Sequence, residues 1–284
     1  MGTKDTLEIQ RIAAFSQNGE GGNPAGVVIA DQLPSARDMQ RIAAEVGYSE
    51  TVFAAPDDGD WKTRYYSPES EVPFCGHATI ALGAALALKY GDGRFDLNLS
   101  NAKISVEGHK EGQQIFAALQ SPATHSEIAD TDLVAKALTM FGYSFEDLDQ
   151  TMAPAIVCAG ATHLLLPLKS RQKLSEMSYS LDQGRQLMNE HNLVTISLVW
   201  AKDKRLFHAR NAFASGGVLE DPATGAAAAA FAGYLRDINW PHGGKIEIVQ
   251  GEDMGQMSML YAEIPHSKGT SIRVSGTARI MNLA

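Results

Sequence analysis

Two stretches of the chain are apolar on every side of the helix that they predict. The first spans residues 76–90, and the second, rich in alanine, spans 222–235. A helix without a polar face has to be covered on all sides, so each stretch predicts a helix buried inside a domain. Short or alternating apolar segments between turn residues, typical of strands, precede and follow each helix.

The order of these predicted elements occurs twice along the chain. In the first half, the elements around the apolar helix are strands 7–15, 25–30, 51–55, 61–66, 104–107 and 114–119 and helix 35–46. In the second half, they are strands 156–159, 164–168, 195–200, 205–210, 245–249 and 256–264 and helix 181–191. Gly225 follows Gly76 by 149 residues and Ile246 follows Ile104 by 142. Two divergent copies of about 140 residues are therefore predicted.

This duplication predicts an α+β fold with two pseudo-symmetric lobes, each a curled sheet around a central buried helix. The first lobe covers residues 1–120 and the second covers 121–284. The polar stretch 121–132, which contains Pro122, is the candidate linker. The final segment, 266–284, could return to the first lobe.

Composition narrows the function classes. The 284 residues are 44% hydrophobic and 20% charged, enough for a large core, and the net charge is -9. An acidic chain disfavours nucleic acid as a partner. The longest apolar run, 80–88, is shorter than the roughly 20 residues that cross a bilayer, and the first residues do not resemble a signal peptide. We therefore expect a cytoplasmic protein without membrane contact.

No motif predicts a metal or a cofactor. The two cysteines, Cys75 and Cys158, lack the paired spacing of a zinc site, and no histidines are spaced as in a helical zinc motif. The glycine-rich stretch 19–24 matches neither a dinucleotide-binding fingerprint nor a P-loop.

Both predicted buried helices begin among small residues. Gly76 and Gly225 stand where unpaired backbone N–H groups gather, and glycine lets a ligand approach them closely. If the lobes face each other by pseudo-symmetry, both positive helix ends are directed at one cleft. The expected ligand is a small anionic metabolite, such as a carboxylic acid.

Glu50 is the candidate acid or base, because it lies between a predicted helix and an apolar strand, where a carboxyl group is partly shielded from water. His77 at the first helix start and Asp221 before the second are further candidate catalytic residues, which could complete a polar ring around the ligand. A histidine–carboxylate pair can hold a substrate hydroxyl or transfer a proton. The comparable region of the second copy, 195–199, carries no acid, so the duplication is chemically one-sided.

Several motifs together resemble one family, the PhzF-like proteins of phenazine biosynthesis. They are Gly22-Asn-Pro-Ala-Gly-Val-Val28, Gly47-Tyr-Ser-Glu-Thr51, Arg64-Tyr-Tyr-Ser-Pro68, Pro73-Phe-Cys-Gly-His-Ala-Thr79, Asp221-Pro-Ala-Thr-Gly225 and Val274-Ser-Gly-Thr-Ala278. The resemblance covers almost the whole chain. It implies the diaminopimelate-epimerase-like fold, with the active site between two lobes, which agrees with the duplication.

The resemblance also implies an activity. The family's characterised reaction isomerises trans-2,3-dihydro-3-hydroxyanthranilate, with a glutamate moving a proton between carbons without a cofactor. By motif match, Glu50 takes that role, and many relatives are homodimers. The matching residues that would hold the substrate are His77, Asp221, Ser49, Gly76 and Gly225.

One position departs from the family pattern. By the resemblance, Ala226 occupies a substrate-binding position, where family members commonly have a serine after the second Thr-Gly. This chain therefore lacks one hydroxyl group that would bind the substrate. That bond is worth roughly 1 kcal/mol when both partners are neutral, and its loss places the named substrate in question.

Two other functions stay open beside the isomerase. The first is an amino-acid racemase or epimerase. Two-thiol racemases of this fold carry a cysteine at each helix start, whereas only Cys75 stands at such a position here, which favours a buried structural thiol. The second is a non-catalytic metabolite-binding homologue. Glu50, His77 and Asp221 each also have an ordinary structural interpretation, as a surface acid, a packed or capping histidine and a helix cap.

Overall fold

The computed structural model describes residues 7–281, which divide into two compact units. Unit 1 contains residues 7–14, Pro24–Leu119 and 277–281, and unit 2 contains Phe15–Asn23 and Gln120–Gly276. The segment Phe15–Asn23 thus differs from the expected division at residue 120. Hydrogen bonds explain its place in unit 2: the Gly22 amide donates to the Met257 carbonyl, 3.2 Å away, and the Asn23 side chain binds the 221–223 turn.

The first half of the chain alternates strands with two helices. In chain order the elements are β1 Gln10–Ser16, β2 Asn23–Ile29, α1 Ala36–Val46, β3 Thr51–Asp57, β4 Asp60–Tyr66, β5 Glu71–Val72, α2 Gly76–Tyr90, β6 Gly93–Asn98, β7 Lys103–Glu111 and β8 Gln114–Gln120. The predicted helices are confirmed here, and α2 has the bounds that its apolar pattern predicts.

Unit 1 is a mixed sheet around α2. β2 runs parallel to β3, β3 is antiparallel to β4, and β4 pairs with β5 and with the parallel β6, which is antiparallel to β7. Every residue of α2 from Gly76 to Ala87 is buried. A Cβ on Gly108 would lie 2.3 Å from the carbonyl oxygen of Gly83. Strand β7 can therefore approach α2 this closely only because glycine stands at Gly108.

The second half of the chain has the same kind of alternation. Its elements are β9 His125–Ile128, α3 Thr131–Phe141, β10 Ala155–Cys158, β11 Thr162–Pro167, α4 Arg171–Ser175, α5 Leu181–Glu190, β12 Thr195–Ala201, β13 Leu206–Ala212, β14 Glu220–Asp221, α6 Gly225–Asp237, β15 Lys245–Gln250, β16 Ser258–Glu263 and β17 Arg273–Ile280. In unit 2 the sheet wraps α6, whose residues from Gly225 to Arg236 are all buried.

Strand pairing confirms the internal repeat. In unit 2, β11 is parallel to β12, β12 is antiparallel to β13, and β13 pairs with β14 and with the parallel β15, which is antiparallel to β16. This is the pairing of β2, β3, β4, β5, β6 and β7 in unit 1. The register equates Thr195 with Thr51, since each begins the second strand of the parallel pair and aligns with His163 or Gly26.

Two predictions about local structure are wrong, and some elements are missed. The stretch 121–132 is no linker, because it contains β9, which pairs with β10, and the start of α3. Helix 222–235 begins at Gly225 instead, since residues 220–221 form β14. The pattern also missed β6, whose first residues are exposed and polar. Among the described residues, no helix is long and apolar enough to cross a bilayer.

Candidate active site

Glu50 lies at the junction between α1 and β3, as its sequence context predicts. The helix ends at Val46, and its C-cap residue Gly47 has a left-handed conformation (φ 71°) and donates its amide to the Ala43 carbonyl. The Glu50 carbonyl accepts a hydrogen bond from the Gly26 amide at 3.2 Å, which fixes the backbone against β2. Only 6% of Glu50 is exposed. The junction therefore holds a carboxyl group inside unit 1 and away from bulk water.

The carboxyl group of Glu50 faces His77. Oε2 of Glu50 lies 3.4 Å from Nε2 of His77, but the contact is outside hydrogen-bond geometry. Among the residues that the structure describes, Oε2 has no hydrogen-bond partner. Ser49, half-buried, places Oγ 3.4 Å from the same histidine nitrogen. A buried carboxylate oxygen without a partner is unfavourable unless a ligand or a water completes its shell.

Cys75 joins this pair from the start of α2. It is the N-cap residue, in extended conformation, and His77 follows two residues later. The Cys75 Sγ lies 3.3 Å from Nδ1 and 3.9 Å from Nε2 of His77. One donor atom from each of Glu50, Cys75 and His77 lies within 4.8 Å of the others. The three side chains therefore form one buried cluster that can exchange a proton or hold a cation.

The start of α2 adds a positive electrostatic end to the cluster. No side chain caps the helix and no acidic residue lies in its first turn. Within the described chain, the amides of Gly76, His77 and Ala78 have no acceptor, and the first amide bonded inside the helix is that of Thr79, to the Cys75 carbonyl. Buried amide groups without acceptors favour an anionic ligand.

A second hydrogen-bonded pair fixes this helix start. The Thr79 hydroxyl donates to the Cys75 carbonyl at 2.7 Å and accepts from the Tyr65 hydroxyl, also at 2.7 Å. Burial raises the pKa of Tyr65 far above its usual range, with the Thr79 hydrogen bond acting in the opposite direction. The phenol is therefore neutral and serves as a donor, which holds the backbone that carries Cys75 and His77.

Unit 2 places Asp221 in a separate polar network. One carboxylate oxygen accepts from the Asn23 side chain at 2.7 Å, and the other accepts from the Thr224 hydroxyl at 2.6 Å. Asn23 also donates to the Ala223 carbonyl. Thr224, not Asp221, is the N-cap residue of α6, so the simple helix-cap interpretation of Asp221 is wrong. The carboxylate instead ties a turn together.

Gln250 completes that network and fixes the start of α6. Its side-chain amide donates to the Asp221 carbonyl at 2.7 Å and to the Thr224 hydroxyl at 3.0 Å, and its carbonyl accepts from the Thr224 amide. Gly225 and Ala226 are the first two helical residues. Their amides and that of Ala227 have no acceptor in the described part of the chain. Unit 2 thus repeats the uncapped helix start of unit 1.

The structure brings four predicted residues together in unit 1: Glu50, His77, Ser49 and Gly76. The other three, Asp221, Gly225 and Ala226, lie together in unit 2. The repeat register equates Val194 with Glu50, so the second unit has no acid at that position. That one shared cleft receives both helix starts stays a prediction.

Sequence reasoning missed three participants. The sequence predicts only a small buried thiol at Cys75, although this residue stands in the same motif as His77. Asn23 belongs to the Gly22-Asn-Pro motif, but the sequence analysis assigns no role to its side chain. No local signal marks Gln250, because it is the last residue of β15 and lies 26 residues after Thr224.

Comparison with known proteins confirms the family resemblance. A family profile described as "Phenazine biosynthesis-like protein" (PhzC-PhzF) matches residues 12–283. A trans-2,3-dihydro-3-hydroxyanthranilate isomerase from Pseudomonas fluorescens is 31% identical over 272 residues, which cover 93% of this chain and 94% of that protein. Other curated relatives are also named isomerases.

Solved structures confirm the fold class. A predicted epimerase from Pseudomonas aeruginosa superposes with a TM-score of 0.85 at 21% identity, covering 98% of each chain. A probable proline racemase from Agrobacterium radiobacter superposes with a TM-score of 0.67 at 9% identity, covering 98% of this chain and 93% of that one. The α+β fold of two repeated units is therefore shared with both groups.

Proposed function

Because this chain belongs to the PhzC-PhzF family of phenazine biosynthesis-like proteins and is an isomerase, we propose that Glu50 is its catalytic acid and base. The observation that carries the proposal is the buried Glu50 carboxyl, whose Oε2 has no hydrogen-bond partner among the described residues and lies 3.4 Å from His77. An unpartnered oxygen leaves a lone pair free to accept a proton from a substrate.

The proposed reaction moves one proton. Glu50 removes a proton from an activated carbon, the electron pair spreads into an adjacent unsaturated or carboxyl system, and Glu50 returns the proton to another carbon on the same face. His77, beside Oε2, orients the carboxyl group, and Ser49 contacts the same imidazole nitrogen. One base is enough for such a shift, so we propose that no cofactor takes part.

The proposed substrate is a small carboxylate-bearing metabolite, cyclic or amino-substituted. Support comes from the uncapped start of α2, whose unpaired amides favour a carboxylate in the ground state and a delocalised anion in the transition state. The start of α6, with Gly225 and Ala226, has the same property in unit 2. Asp221, held by Asn23 and Thr224, is proposed to fix the turn that precedes α6.

Solvent exchange tests the proposal directly. A panel of small unsaturated and amino acids is incubated with the protein in D₂O, and deuterium uptake is followed by NMR. Glu50→Gln keeps the size of the side chain but removes the base, so we expect exchange and turnover to fall by about a thousandfold or more, within the range of a lost general base. Ligand affinity should change little.

Glu45→Gln is the matched control, because Glu45 is an acid of the preceding helix, paired with Arg41 on the surface. It should leave exchange at the wild-type rate. Equal exchange rates in wild type and Glu50→Gln, with circular dichroism showing both folded, would refute the role of Glu50.

Epimerisation is a second candidate, and Cys75 is the observation that favours it. Its sulfur adds another proton-bearing group to the Glu50–His77 pair, 3.3 Å from the imidazole. A two-thiol mechanism has no support, because Thr224 stands at the N-cap of α6 where Cys75 stands in α2. Deuterium uptake with inversion at one stereocentre, rather than a double-bond shift, would select epimerisation.

Ligand-induced thermal stabilisation without any exchange would instead select a metabolite-binding role. We further propose that the enzyme works in the cytoplasm and as a homodimer, as the family resemblance implies. Light scattering on the purified protein measures whether it is a dimer.

A further inference from the structure

We propose that Glu50, Cys75 and His77 form a binding site for a thiophilic divalent cation, with Zn²⁺ as the preferred ion, and that the bound ion inhibits the enzyme. The cation-binding part of the proposal is independent of the proposed reaction. The inhibition rests on the proposed function, because the ion would occupy the carboxyl group that moves the proton and the imidazole beside it.

The donor set is the first argument. It offers one sulfur, one imidazole nitrogen and one carboxylate oxygen, a mixture that suits Zn²⁺ better than Mg²⁺ or Ca²⁺, which prefer oxygen alone. Three protein ligands with an open fourth position are typical of accessible zinc sites. Ser49, which is half-buried, lies beside the cluster, with Oγ 3.4 Å from Nε2 of His77.

The donor separations are the second argument. Zinc with ordinary bond lengths and tetrahedral angles requires its N, O and S ligands to stand about 3.3 to 3.6 Å apart. His77 Nε2 lies 3.4 Å from Glu50 Oε2 and 3.9 Å from Cys75 Sγ, and the three donor atoms all fall within 4.8 Å. The distance between the histidine nitrogen and the glutamate oxygen already fits one ion, and side-chain rotations that bring Sγ closer would complete the site.

The third argument is that the Glu50 carboxyl group is buried and lacks a hydrogen bond at Oε2. The residue is 94% buried, and Oε2 has no hydrogen-bond partner in the described residues. A cation would supply that missing interaction, and the low polarity of the surroundings would strengthen it. Binding displaces the thiol proton from Cys75, since the thiolate is the metal ligand.

Calorimetric titration of Zn²⁺ into protein freed of metal by a chelator tests the site. We expect one ion per chain, with affinity reduced at least about tenfold in Cys75→Ser and in His77→Ala, as for the loss of one of three ligands. Cys158→Ser is the matched control, since Cys158 is the other cysteine of the chain and lies on β10, outside the cluster. It should bind Zn²⁺ as wild type does.

Cobalt keeps the test independent of the folding of the Cys75 variants. Co²⁺ added to folded Cys158→Ser protein should produce a thiolate-to-cobalt charge-transfer band, which only Cys75 can then supply. Absence of the band, no stoichiometric Zn²⁺ binding, or unchanged affinity in Cys75→Ser would each overturn the site.

Inhibition is measured on the same samples. Zn²⁺ should suppress deuterium exchange in wild type and in Cys158→Ser, with recovery on adding chelator. If Zn²⁺ binds but deuterium exchange continues, the proposal that the ion inhibits the enzyme is wrong. If Glu50→Gln exchanges at the wild-type rate while Zn²⁺ still binds to Cys75 and His77, the proposed function fails and the cation site stands.

Discussion

His163 makes the stability of this protein depend on pH in a calculable way. Its side chain is fully buried at the start of the parallel β11–β12 pair, where its Nδ1 lies 2.8 Å from the Thr195 hydroxyl. Within the described residues, Nε2 has no hydrogen-bond partner. Burial lowers the pKa of His163 from 6.5 to about 3. The folded protein therefore keeps this imidazole neutral at pH values where an unfolded chain protonates it.

Proton linkage gives the direction in which the free energy of unfolding changes with pH. Below pH 6.5 the unfolded state binds a proton that the folded state excludes, so the free energy of unfolding falls as the pH is lowered, until the folded-state pKa is reached. Each pH unit in that window contributes about 1.4 kcal/mol. Lowering the pH from 7.0 to 4.5 should thus remove about 2.6 kcal/mol of stability through His163 alone.

Urea unfolding at pH 7.0 and pH 4.5 measures this loss for wild type and for His163→Gln, which cannot titrate. Other groups contribute equally to both proteins, so the wild-type loss should exceed the variant loss by about 2 to 3 kcal/mol. His109→Gln, on strand β7, is the surface control and should behave as wild type. Equal losses in wild type and His163→Gln would refute the reasoning. If His163→Gln does not fold, the His163 imidazole is titrated by NMR in the wild-type protein instead. Protonation of this imidazole above pH 5 would also refute the reasoning.

Two further predictions concern glycine packing and ligand affinity. Gly108→Ala should lower the free energy of unfolding by about 3 kcal/mol in urea, because its Cβ would lie 2.3 Å from a carbonyl oxygen of α2. Gly93→Ala, whose nearest atom would be 3.8 Å away, should change it by less than about 0.5 kcal/mol, and similar losses in both would contradict the packing argument. Ala226→Ser should strengthen binding of a carboxylate ligand by roughly fivefold to tenfold in calorimetry, since it restores a hydroxyl at the start of α6. Ala230→Ser, deeper in the same helix, should give no gain, and an equal gain there would exclude a local hydrogen bond.

Strong local patterns predicted most of the secondary structure. The all-apolar residues of α2 leave no other place than a covered interior, and the observed helix has the predicted bounds. The elements that these patterns missed are helix α3 and strands with little buried surface. β9 is exposed or half-buried along its length and contains polar residues, so its sequence resembles a linker until its pairing with β10 is known.

In the candidate site, too, local patterns predict some residues and not others. Glu50 could be found from the sequence because a helix end, Gly47 and an apolar strand are all local signals. The network of Asn23, Asp221 and Gln250 could not, since its members are 198 and 29 residues apart and no periodicity links them.

The sequence by itself determined that the chain repeats, that each copy buries one apolar helix, and that a carboxyl group stands between a helix and an apolar strand in only one copy. Those features depend on side-chain polarity and on neighbours within a few residues. Only the tertiary structure decided that Oε2 of Glu50 stays without a hydrogen bond beside His77 and Cys75. That arrangement depends on how closely α2 packs against its sheet, and no local pattern encodes a distance between residues 25 or more positions apart.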